Sequence, residues 1–115
     1  MSETGTKHDT GKLDWSAIPL EVLEPLVAVF VAGERKYGYR NCLKPFDNGS
    51  RRFFAAAMRH AVKAQADPLS VDEETGCYEE AEAAWNHLMR LHHARMSHAA
   101  SAADRESVRM RGETG

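Results

Sequence analysis

The 115-residue chain is poor in the features that would assign it quickly. It has two cysteines, four prolines and no apolar run longer than Leu26 to Ala32. That run is far too short to cross a bilayer. Met1 to Asp9 has neither an apolar core nor a cleavage pattern, so no secretory signal is expected. Cys42 and Cys77 lack metal-type spacing, and without an export signal they are expected to be reduced thiols. GxSxG, a Cys-His pair and a zinc-type cluster are all missing, which removes support for a side-chain nucleophile. The arm Lys7-His8-Asp9-Thr10-Gly11-Lys12 lacks the spacing of a phosphate-cradling loop. No strand alternation, internal repeat or low-complexity stretch is found. These absences describe one soluble, cytoplasmic domain.

Charge of a single sign is also scarce overall, the net value being −2, but it is sorted along the chain. Arg35, Lys36, Arg40, Lys44, Arg51, Arg52, Arg59 and Lys63 are opposed only by Asp47. Asp72, Glu73, Glu74, Glu79, Glu80 and Glu82 follow with no base among them. Two solvated faces would explain both blocks. A polyanion held partly by cations and partly by a metal would explain them equally.

The apolar pattern has a helical period. Leu20, Leu23, Val27 and Phe30 recur at steps of three and four, and Gly38 can end that helix after about Tyr37. Pro25 requires a later start or a kink. Residues 38–50 read as loop, with Ser50 able to cap the next helix. Residues 51–66 pair Phe53 with Phe54, Ala57 with Met58 and Ala61 with Val62, leaving Arg59, His60 and Lys63 off the stripe. After a loop at 67–76, a helix from about Cys77 to Arg95 would be buried through Ala81, Ala84, Trp85, Leu88 and Leu91. Residues 97–115 read as a polar fourth helix or tail beside a domain of 1–96. The fold class is therefore all-α, a bundle of three to four helices. Its core is thin for this length, so a second copy is expected to complete it as a homo-oligomer.

Glu79, Glu82 and Asn86 share one helical line on the shoulder of the apolar stripe, and oxygen donors at this spacing suit a hard divalent cation. Glu34 follows Phe30 by four residues and is expected to be buried, where it needs a partner: Arg59, or a metal shared with Glu79 and Glu82. His60 is expected to be a packed core histidine and not a ligand. Asp72 and Glu74 are open as metal or lysine partners. Lys36, Arg59 and Lys63 are candidates for neutralising phosphate. Trp15, Tyr37 and Tyr39 could stack on a base, although Trp15 could equally pack on the first helix, and the arm could close over a nucleotide.

Five segments, in order, carry a resemblance. They are Lys7 to Lys12, Gly33-Glu34-Arg35-Lys36-Tyr37-Gly38 with Asn41, Arg59-His60, Asp72-Glu73-Glu74-Thr75-Gly76, and Asn86. Together they resemble the N-terminal domain of phage dATP/dGTP diphosphohydrolases, a group related to the MazG-like all-α pyrophosphohydrolases and including MazZ-type enzymes. The resemblance implies a bundle that binds Mg²⁺ or Mn²⁺ and cleaves a purine deoxynucleoside triphosphate between the α- and β-phosphates. dGTP is favoured and dATP possible, and the monophosphate would feed 2-aminoadenine nucleotide synthesis. Metal-assisted hydrolysis in this chain would then use Glu34, Glu79 and Glu82 as metal ligands with Asn86 in support. Asp9, Lys12, Trp15, Tyr37 and Asn41 would contact the nucleotide, in a host cytoplasm if the chain is phage-encoded. The family usually carries histidines where Glu79 and Glu82 stand and Trp where Cys42 stands. Glu79-x-x-Glu82 instead resembles the ExxD motif of MazG-like enzymes. The alternative is a small helical phage protein that binds nucleic acid through the strip from Arg35 to Lys63, or binds a host protein. The net charge and the acidic block weigh against a nucleic-acid partner.

Overall fold

The computed structural model describes residues 3–110, except for the side chains of 103, 104 and 107–110. It contains α1 (Glu24–Tyr37), α2 (Gly49–Ala64) and α3 (Glu79–Met110), with short 3₁₀ turns before α1 and between α1 and α2. No strand forms among the described residues. An isolated antiparallel bridge joins Val71 to Tyr78. No helix among them is long and apolar enough to cross a membrane.

Pro25 explains the late start of α1. It occupies the first turn, where a missing N–H costs nothing, and the residues before it form two separate 3₁₀ turns. Gly38, at φ 99°, ends the helix and donates its N–H to the Glu34 carbonyl at 2.8 Å. α2 starts after Asn48 in the left-handed region, not at Ser50. Ser50 lies inside the first turn, where its hydroxyl accepts from Arg90 Nε at 3.2 Å.

α3 departs most from expectation. It continues unbroken past Arg95 to Met110, so no separate fourth helix follows, and positions 111–115 of the expected tail lie outside the described residues. Its inward face also differs from the one read in the sequence. Glu79, Glu82, Ala83, Asn86 and Met89 are buried, whereas Leu88 and Leu91 are 41% and 57% exposed. The helix is turned by about one residue, roughly 100°, so its polar line faces inward.

α2 and α3 form the main pairing, and α1 packs on α3. Phe53 sits at the centre. It is edge-on to Phe46 and Trp85, and it lies parallel to His93 with ring centroids 5.2 Å apart. His93 Nε2 also donates to the Cys42 carbonyl at 2.7 Å, tying the loop after α1 to α3. The core is otherwise small, with Val29, Ala57, Ala64, Cys77, Ala83 and Met89 as its remaining buried apolar residues. The radius of gyration is 19.8 Å. A compact chain of this length would have about 13 Å, the excess reflecting the long reach of α3.

Candidate metal centre

Two helices and one loop converge on four ionisable side chains. His60 projects from α2, Glu79 and Glu82 from the first turn of α3, and Asp72 from the loop between them. One ligand atom from each lies within 4.8 Å of all the others. The loop geometry that delivers Asp72 is held by backbone bonds. Asp72 N–H donates to the Cys77 carbonyl at 2.8 Å, Gly76 N–H to the Asp72 carbonyl at 2.7 Å, and Glu79 N–H to the Ser70 carbonyl at 2.9 Å. Gly76 sits at φ +76°, a conformation that side chains resist.

The charges are unbalanced. Glu79 and Glu82 are each 4% exposed, and His60 Nδ1 lies 2.6 Å from Glu79 Oε2 and 2.8 Å from Glu82 Oε2. A single imidazole N–H cannot satisfy two carboxylates well. Thr75 Oγ1 donates to Glu82 Oε1, whereas the buried Glu82 Oε2 competes with Glu79 for the one His60 Nδ1. Burial pushes the Glu82 carboxyl up to about 7, with the neighbouring Asp72 adding to the rise against Thr75 and His60. Asp72 goes the other way. Burial opposes its ionisation, but hydrogen bonds from Glu82 and the Glu74 N–H, with the charges of His60 and Lys63, lower it overall. Three carboxylates facing one imidazole, with two carboxylate oxygens competing for its single Nδ1, fit a divalent cation, which would supply the missing positive charge.

Beside the cluster lies a cleft of about 1100 Å³, lined on different walls by Glu34, Lys36, Tyr37, Asn41, Arg59, His60, Asp72, Glu82 and Asn86. Asn86 is fixed by donation from Nδ2 to the Glu82 carbonyl at 2.9 Å. Lys36 and Glu74 form an exposed ion pair of 2.9 Å across the cleft mouth, so Glu74 is a lysine partner here. Lys63 lies outside the lining, although its charge reaches Asp72.

Two expectations need correction, for Glu34 and for His60. Glu34 is exposed at the cleft wall and absent from the cluster, because α1 turns Val29 inward and leaves Val27 53% exposed. Asp9, Lys12 and Trp15 lie on an exposed arm outside the cleft lining, so a nucleotide contact by them would require the arm to close. His60, expected to be a packed core histidine, is a member of the cluster. The signal for His60 was present in the spacing. Phe53, Ala57, His60 and Ala64 recur at helical steps, and three of the four are buried. Pairing each buried residue with its exposed neighbour (Phe53 with Phe54, Ala57 with Met58) had hidden that line.

The family described as dATP/dGTP diphosphohydrolase, N-terminal, matches residues 2–105, which include every residue of the cluster and of the cleft. No curated protein and no solved structure matches the chain.

Proposed function

Because the chain belongs to the dATP/dGTP diphosphohydrolase N-terminal family, we propose that it hydrolyses a purine deoxynucleoside triphosphate to the monophosphate and pyrophosphate. dGTP is the favoured substrate and dATP the second. The observation that carries this reading is the cluster of half-buried His60 and Asp72 with buried Glu79 and Glu82, beside a cleft whose lining includes Lys36, Arg40, Arg52 and Arg59. These four residues would hold Mg²⁺ or Mn²⁺. When bound there, the cation would supply charge stabilisation to the phosphates and a more acidic water.

The chain's own groups divide the remaining work. Asn86, anchored through its amide to the Glu82 backbone, holds α3's polar line in register. Lys36 and Arg59, on the cleft walls, neutralise phosphate oxygens. Lys36 leaves Glu74 to do so, a small cost because both members of that pair are exposed. Lys63 contributes at longer range. No side-chain nucleophile is positioned at the cluster, so attack by water is the chemistry the residues support.

Oligomerisation belongs to the same reading. Phe54, Met58 and Val62 on α2 and Leu88 and Leu91 on α3 are exposed apolar residues, and a second copy of the chain, as a dimer or tetramer, would cover them.

The test is incubation of the protein with each deoxynucleoside triphosphate in Mg²⁺ or Mn²⁺, followed by separation of the products. Monophosphate and pyrophosphate from a purine substrate are expected. Stepwise release of single phosphates, or no turnover with any of the four, would overturn the proposal.

A further inference from the structure

We infer that the aromatic end of the cleft, formed by Phe30, Phe53 and Trp85 with Asn41 at its rim, is the subsite for the substrate's base. This inference rests on the hydrolase reading for the position of the phosphates. It adds the direction in which the nucleotide lies.

The geometry gives that direction. On α2, Phe53 precedes His60 by seven residues; on α3, Trp85 follows Glu82 by three. The aromatic groups therefore stand one to two helical turns from the metal cluster, roughly 5–10 Å along the helices. A nucleotide whose α-phosphate sits at the cluster spans such a gap with its sugar. At the cluster end stand Arg59, next to His60 in α2, and Lys36, paired with Glu74 two residues from Asp72, and both line the cleft. The phosphates are thus sent to the cluster end and the base to the aromatic end.

The aromatic end is also not a sealed core. Phe30 and Trp85 pack edge-on with centroids 5.9 Å apart, yet both are only half-buried and both line the cleft with Phe53. No large side chain among the described residues is fully buried. Aromatic surface left open beside a phosphate-binding site suits a planar base, because ring faces stack on any nucleobase. Stacking alone does not choose among bases. Selection falls to Asn41, half-buried on the turn after Arg40, whose amide offers a donor and an acceptor in one plane to a base edge.

The test uses the intrinsic fluorescence of a Trp15→Phe protein, whose remaining indole is Trp85. With Mn²⁺ present it is titrated with dGMP, dCMP and inorganic pyrophosphate. Saturable quenching by dGMP, weaker quenching by dCMP and none by pyrophosphate is the expected pattern. In the otherwise wild-type chain, Asn41→Ala is expected to raise the KM for dGTP about tenfold, with kcat and the Mn²⁺ dissociation constant within twofold of wild type. Quenching by pyrophosphate alone, or an unchanged KM in Asn41→Ala, would overturn the inference. The two readings fail separately. Saturable dGMP quenching without hydrolysis of any triphosphate would remove the hydrolase and keep the base subsite. Hydrolysis with no dGMP response would do the reverse.

Discussion

Glu82 is the residue on which the chemistry is concentrated, because it is a buried carboxylate with one oxygen held by Thr75 and the other sharing the single His60 Nδ1 with Glu79. Glu82→Gln or Glu79→Gln is expected to lower turnover at least a hundredfold while the helical circular dichroism signal is retained, since each variant removes a ligand charge without removing volume. The pH dependence follows from the same side chain. Folded Glu82 keeps its proton up to about 7, against an ordinary value of 4.5. The metal-free folded state thus binds more protons than the unfolded chain between these values, and its stability falls as pH rises through that window, by on the order of 3 kcal/mol at most. Divalent metal should reverse this, because it binds the ionised form. Thermal melts at pH 5 and pH 7.5 are expected to show a larger Mn²⁺-induced rise in Tm at the higher pH, and equal rises would contradict the assignment of the raised carboxyl. Glu79, Glu82 and Asn86 were legible in the sequence because three- and four-residue steps place them on one helical line. Asp72 was legible as an open metal or lysine partner but could not be joined to Glu79 and Glu82, since what delivers it is a set of backbone bonds between residues 70 and 79 that no spacing rule reveals.

At the scale of elements, periodicity found all three helices and the loops between them, and Gly38 marked the end of α1 correctly. It failed on which face of α3 turns inward. Apolar content pointed to Leu88 and Leu91, but the inward positions are occupied by Glu79, Glu82 and Asn86. Carboxylates are tolerated there only because His60 and Thr75 meet them from other segments, a long-range condition invisible to a helical wheel. The Asp72–Tyr78 loop is the element that closes this arrangement, and its weak point is Gly76 at φ +76°. Gly76→Ala is expected to cost roughly 1 kcal/mol of stability. It should weaken Mn²⁺ binding as well, because Asp72 is carried by the same turn; calorimetric titration beside a thermal melt would check both. A drop in Tm with unaltered metal affinity would show that the turn does not position Asp72.

For the whole molecule, the long α3 and the exposed apolar residues of α2 and α3 describe a chain with much uncovered surface. Sedimentation of the wild-type protein is expected to give a multiple of the 12.8 kDa chain mass. Leu88→Glu with Leu91→Glu should return it to a single chain. A wild-type monomer would contradict that part of the reading while leaving the metal centre untouched. The centre itself is tested most directly by titrating Mn²⁺ at pH 7.5 into wild-type and Glu82→Gln protein and following the free ion by electron paramagnetic resonance. Saturable binding by the wild type, weakened at least tenfold in the variant, is the expected result. Equal binding by both, or none by the wild type, would mean that His60, Asp72, Glu79 and Glu82 do not form a metal site.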